Sequence, residues 1–237
     1  TADKVYWSAM RGIRNDPPLN YPVKMAQIAM RIKASEGAQN QIDIINCMVE
    51  SYACKHLGGG AWESVPTGTS SNPAALFRAA LTHKAIVRGA DVSALDDVLL
   101  GEWYDFCETQ GYKYNRVHDE IQSVWDTISD IAFAGRAAPY KRFGHMWSVT
   151  VDGMARSIDG HITPRNSWGF SSSKSLIDMP HGFKIGFNNQ DQDYLADEVI
   201  AYDDGYNSGN ATVIEALQFR GITDSDLAWK FGRFHIA

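Results

Sequence analysis

No stretch of the 237 residues offers the roughly 18 to 20 consecutive apolar side chains that a helix needs to cross a bilayer. Nor do the 22 lysines and arginines gather into a basic run, and 28 acidic residues leave a formal net charge of −6. That balance excludes long-range attraction to nucleic acid or to an anionic membrane as the main work of the chain. Cysteine is scarce. Cys47, Cys54 and Cys107 make an odd number, with no CxxC spacing and no histidine pair beside them. They build neither a disulfide framework nor a zinc site, and are expected to be reduced, buried thiols. The opening Thr1-Ala2-Asp3-Lys4 has no apolar segment of a signal peptide and no initiating Met, so a piece of a longer polypeptide is expected.

The usual catalytic signatures are missing too. The histidines at 56, 83, 118, 145, 161, 181 and 235 stand singly, without HExxH or H-x-H pairing, and read as surface or boundary residues. Ser171, Ser172 and Ser173 lie outside any G-x-S-x-G, and so lack a nucleophile elbow. Gly58-Gly59-Gly60 has no GK[ST] behind it and reads as a turn before Trp62 rather than a phosphate loop. Calcium needs several oxygens converging on one point, which makes Asn189-Gln190-Asp191-Gln192-Asp193 worth testing. Set on an EF-hand loop, it puts Tyr194 where glycine is required and Ile200 where the bidentate Glu is required. A solvated turn between strands is expected, with a non-standard ion site near Asp191, Asp193, Asp203 and Asp204 as the alternative. No catalytic residue, cofactor-binding residue or metal ligand is assigned.

What the chain does have is core. Its 44% hydrophobic and 21% charged content is that of a soluble globular protein large enough for one or two domains. Alternation over Met25–Lys33 predicts a strand, and the bulky run Ile42–Tyr52 predicts its partner. Asn72-Pro73 predicts a helix start, with Leu76, Phe77, Ala80 and Leu81 inward. A second helix is expected from Ser93 to Gly111, burying Leu95, Leu99, Trp103, Phe106 and Cys107. A third is expected from Asp119 to Gly135, burying Ile121, Val124, Trp125, Ile128 and Ile131. Tyr140–Val151 reads as a hairpin turning at Phe143-Gly144-His145. Phe183, Ile185 and Phe187, and then Val199 and Ala201, alternate as strands. Thr223 is expected to cap a closing helix that buries Leu227, Ala228, Phe231 and Phe234.

One loop stands apart. "TPRNSWGFSSSK", residues 163–174, gathers an arginine, an asparagine, a tryptophan and three serines. Trp103, Trp125 and Trp147 have core positions in the helical and strand patterns, and Trp229 lies beside the apolar stripe of the closing helix. Trp168 has no such place. The loop is expected to carry the chain across a seam between two units, with Arg165 and Asn166 satisfying backbone groups and Trp168 wedged between the units.

Several blocks, in order, carry a resemblance: "YPVKMAQIAMRIKAS", "IDIINCMVESY", "SNPAALFRAALTH", "LGEWYDFCETQGYKYNRVHD", "WDTISDIAFAGRAAPYKRFGHMWSVTVD", "TPRNSWGFSSSKSL", "PHGFKIGFNNQDQDYLADEVIAYDDG" and "GITDSDLAWKFGRFHIA". Over roughly nine-tenths of its length the chain resembles the hub region of tail-tip attachment proteins (host specificity protein J family) of lambda-like bacteriophages. The resemblance implies an α+β, baseplate-hub-like fold with a β-rich, tail-tube-like domain and an inserted helix-rich lobe. Residues 1–66 with 151–237 would form the discontinuous β-rich domain, and 67–150 the insertion. It also implies a non-enzymatic structural role in the virion, closing the distal tail tube and linking it to receptor-binding parts. The expected partners are two further copies in a homotrimer, other phage tail proteins, and a host receptor reached through segments absent here. No cofactor, nucleic acid or membrane segment is expected. The location would be the tail tip of a phage or prophage virion, after synthesis in the bacterial cytoplasm. The competing classes are a tail-associated cell-wall or glycan hydrolase and a carbohydrate-binding module using Trp168.

Overall fold

A computed structural model describes residues 6–7, 30–31, 47–83, 86, 89–142, 146–154, 160–173 and 179–236. The chain divides into two compact units, Thr1–Val49 and Glu50–Ala237. The boundaries expected at 66/67 and 150/151 both fall inside the second unit. In the first unit, β1 (Tyr6–Trp7) pairs antiparallel with β2 (Met30–Arg31), setting Tyr6 opposite Arg31 and Trp7 opposite Met30. The rest of the expected 25–33 strand lies outside the described residues.

The second unit opens with a small hairpin of β3 (His56–Gly58) and β4 (Ala61–Trp62). Its turn is the triple glycine, where Gly58, Gly59 and Gly60 all take positive φ. Only glycine adopts three such angles in a row without Cβ strain. The expected strand through Tyr52 does not extend into the described residues 47–51. Tyr52 makes an isolated antiparallel bridge to Thr69.

Helix α1 (Pro73–Thr82) starts as the sequence predicts, with Asn72 Oδ1 accepting from the Ala74 N–H at 2.9 Å and Pro73 in the first turn. Helix α2 (Asp97–Gln110) starts later than expected. Asp91 organises a short 3-10 turn over Val92–Ala94, and Asp96 then caps α2 by accepting from the Leu99 N–H at 3.3 Å. A carboxylate serves better there because Asp96 also takes bonds from Ser148 and Arg142 on the neighbouring hairpin. Gly111 ends the helix in the left-handed conformation, as expected. Helix α3 (Val124–Phe133) is shorter than the 119–135 expected, because Ser123 rather than Asp119 supplies the cap, bonding the Asp126 N–H at 3.1 Å. Ile121 therefore lies outside the helix and fully exposed, and Val124 and Trp125 face half outward. Trp103 is fully buried, edge-on to Phe77, and donates its Nε1–H to the Gly135 carbonyl at 2.8 Å.

Strands β5 (Ala137–Lys141) and β6 (Trp147–Val151) form the expected hairpin, with Lys141 opposite Trp147; its turn residues lie outside the described residues. The last layer is a three-stranded sheet ordered β8-β7-β9, from β7 (Gly182–Asn189), β8 (Leu195–Tyr202) and β9 (Ile214–Gln218). β7 and β8 are antiparallel and carry the predicted alternation. β9 was not visible in the sequence pattern and runs parallel to β7. Helix α4 (Ser225–Ile236) covers one face of this sheet. Gly232 lets it approach closely: a Cβ there would lie 2.4 Å from Ile185 Cδ1 and 2.7 Å from Ala201 Cβ. The cap of α4 is Asp224, not Thr223: its Oδ1 accepts from the N–H groups of Asp226 and Leu227. Thr223 is instead buried, bonding Gln190 and Asn115. Among the described residues one core runs from Ala53 through α1, α2, α3 and the sheet to Ile236. The architecture is mixed α+β, with four α-helices and small sheets among the described residues.

Candidate functional site

The 160–173 loop is ordered from within by one side chain. Asn166 Oδ1 accepts from the Thr163 N–H at 2.6 Å and its Nδ2 donates to the His161 carbonyl at 2.7 Å. Ser167 Oγ donates to the Thr163 carbonyl at 2.7 Å. Asn166 thus satisfies backbone groups as expected. The wedge does not form. Trp168 is 93% exposed and Phe170 85% exposed, and Ile162 also faces solvent. Trp168 lies just past the 164–166 turn and before Gly169, at φ +71, and no described side chain covers the indole. A tightly bonded loop thus holds two aromatic faces in water, which costs free energy unless a partner covers them.

The acidic residues do not converge. Asn189 ends β7 and Gln190–Asp193 leads towards β8, whereas Asp203 and Asp204 lie beyond the far end of β8. Eight strand residues separate them, a span on the order of 25 Å. Asn189 holds the first turn together, accepting from the Asp191 N–H and donating to Asp197 at 2.8 Å. That bond, with one from the Glu198 N–H, draws the Asp197 carboxyl below its ordinary pKa. Asp204 is taken by Arg233 of α4. Among the described residues no group of three or more His, Cys, Asp or Glu is placed to hold a metal ion.

Two histidines are more engaged than their isolation in the sequence implies. The His56 side chain is nearly enclosed, between Trp62 and Tyr104, with Nδ1 3.1 Å from Asp105 and Nε2 accepting from the Gly60 N–H at 3.3 Å. Its imidazole pairs with a carboxylate as a general base would. The Gly60 N–H already occupies the lone pair that a base would use, so the pair fastens the β3–β4 hairpin to α2. Gly101 makes room for it, since a Cβ there would lie 2.4 Å from the ring. His181, between the described loops and β7, bonds the loop before β9. Neither arrangement has a sequence signature, because the partners are 49 and 31 residues away.

The thiols differ from the expectation of burial: only Cys107 is buried, Cys54 is partly so and Cys47 is exposed. Burial pushes the Cys107 thiol far above its ordinary pKa and makes it inert. Beside it, a cleft of about 140 Å³ at the C-terminal end of α2 is lined by Asn72, Glu108, Tyr112 and Lys113 among others. It is smaller than the pockets that hold most small ligands. No helix among the described residues is long and apolar enough to cross a membrane. No protein-family model matches the chain, and no curated protein sequence is significantly similar to it.

Proposed function

We propose that this chain is a non-enzymatic structural component of a bacteriophage tail tip or baseplate hub, closing the distal tail tube and linking it to receptor-binding parts. The observation that carries the proposal is the order of the resembling blocks, from "YPVKMAQIAMRIKAS" to "GITDSDLAWKFGRFHIA". The mixed α+β architecture is compatible with it. So is the surface of the second unit, where Tyr52, Leu57, Val65, Ile121 and Leu195 stand exposed. Strands β8 and β9 are both edges without a further strand among the described residues. Such surface suits a protein that docks against neighbouring copies and other tail proteins. Threefold self-association and residence in the virion belong to the same proposal. Light scattering on the full-length protein tests it, the expected mass being that of a trimer. A strictly monomeric full-length protein sinks the proposal. So does peptidoglycan turnover that one carboxylate or serine substitution abolishes, which instead identifies a tail-associated hydrolase.

Trp168 favours a second reading, a carbohydrate-binding loop. An indole held open to solvent by a self-bonded turn can stack on the apolar face of a sugar ring. Glycan-array binding that disappears in Trp168→Ala, with unchanged thermal stability, is the result this reading requires; no binding by the unaltered protein removes it.

A further inference from the structure

His181 stands just before β7 and ties together three segments. Its backbone N–H donates to the Val213 carbonyl at 2.8 Å, and its carbonyl accepts from the Asp203 N–H at 2.9 Å. Its ring lies flat on Tyr206, with centroids 4.0 Å apart and planes within 10°. The Nδ1 atom accepts from the Thr212 N–H at 3.0 Å and the Val213 N–H at 3.3 Å, and lies 3.2 Å from the Thr212 hydroxyl. A backbone N–H can only donate, so the bonds at Nδ1 require a lone pair there. The proton of the neutral ring must then sit on Nε2.

We propose that His181 is a proton-operated clasp, closed while Nδ1 is unprotonated and opened when Nδ1 takes a proton. A proton on Nδ1 sets N–H against two N–H groups that cannot turn away, and both bonds are lost. What they hold is the junction between β9 and a loop that its own bonds at Asn207 and Asn210 keep folded. Val213 and Ile214 are half-exposed, and β9 is a five-residue strand that, among the described residues, bonds β7 alone. Its first register pair, Gly182 with Ile214, adjoins the clasp. Protonation therefore loosens Thr212, Val213 and the start of β9, while the Asn207 and Asn210 bonds and the Asp204–Arg233 pair keep the rest of the loop in place.

Among the described residues the charged groups near the ring are committed elsewhere. On the loop, Asp203 bonds the Asp204 N–H and Asp204 pairs with Arg233 of α4. Lys184 of β7 pairs with Glu198 of β8 at 2.5 Å. Glu215 of β9 lies opposite Phe183, beyond the clasp. Tyr206 offers its ring face. Among the described residues no carboxylate bonds Nδ1 to compensate the new charge.

Amide hydrogen exchange on the whole chain tests the clasp, corrected for intrinsic rates. Protection at Thr212 and Val213 should fall at least about tenfold from near pH 7.5 to near pH 5.5, while β7–β8 amides keep theirs. His181→Asn places a non-titrating oxygen near Nδ1 and should keep protection across the range. His181→Phe keeps a ring on Tyr206 without an acceptor and should lose protection at every pH. Should a variant fail to fold, ring ¹⁵N shifts of the unaltered protein decide: protonation of His181 and loss of protection must run together. A ring that stays neutral to pH 5.5, protection that survives its protonation, or His181→Asn tracing the unaltered pH profile overturns the clasp.

Discussion

Asn72 offers the sharpest test of how this fold is held together. It is 3% exposed and makes three bonds that join two helices. Its Oδ1 caps α1 through the Ala74 N–H, and its Nδ2 donates to the Tyr104 carbonyl at 3.1 Å and to Glu108 Oε1 at 2.8 Å on α2. Asn72→Ala loses a helix cap, about 1 kcal/mol, and leaves a buried carbonyl and a carboxylate short of a donor, roughly 1–3 kcal/mol more. The expected loss is about 2–4 kcal/mol, read as a lower urea midpoint at unchanged slope, or a melting temperature lower by about 5–15 °C. Asn72→Asp separates the two contributions. It keeps the cap oxygen but replaces the donating amide with a carboxylate facing Glu108 and a carbonyl. At pH 7 it should be no more stable than Asn72→Ala. Its folded state holds the added proton more tightly than the unfolded chain does, so its deficit should shrink as the pH falls. An Asn72→Ala protein within about 0.5 kcal/mol of the unaltered one would show that the bridge between α1 and α2 contributes nothing net. An Asn72→Asp protein of full stability at pH 7 would refute the donor role of Nδ2.

Three further outcomes follow from the packing and the titrating groups. Gly232→Ala should destabilise by about 1–3 kcal/mol despite alanine's better helix propensity, because its methyl would press on Ile185 and Ala201. Adding Ile185→Val, which removes the clashing Cδ1, should restore part of the loss in urea titration; a more stable single variant would disprove the close approach. His235 stacks near Phe133 and Phe219, and burial first, then the Arg136 charge, lowers its pKa. The unfolded chain therefore binds this proton more readily, so the contribution is complete above the ordinary histidine value of about 6.5 and is lost as the pH falls below it. His235→Phe should show a shallower loss of stability from about pH 7.5 to 5.5 than the unaltered protein, and parallel curves would contradict this. A thiol reagent should label Cys47 rapidly in the native protein and Cys107 only after unfolding; native labelling of Cys107 would refute its burial.

The sequence by itself determined those elements whose cause is local. Asn72-Pro73 starts α1, Gly111 ends α2, the triple glycine turns a hairpin, and alternation marks β7 and β8, because caps, positive φ and period-two burial act within a few residues. The failures have a common origin. Ser93 and Thr223 are as good caps in isolation as Asp96 and Asp224, and only the neighbouring hairpin and the buried bonds of Thr223 decide between them. β9 has no local signature, because a five-residue strand, mostly exposed, has no period to read; its pairing with β7 defines it. Trp168 shows the opposite limit. Its residue type predicts burial, but whether a surface exists to bury it is settled by elements far away in sequence, and among the described residues none covers it. The tertiary structure likewise decided the histidines, since the environment of an imidazole depends on which partners, the Asp105 carboxylate or the Thr212 N–H, arrive from 49 or 31 residues away.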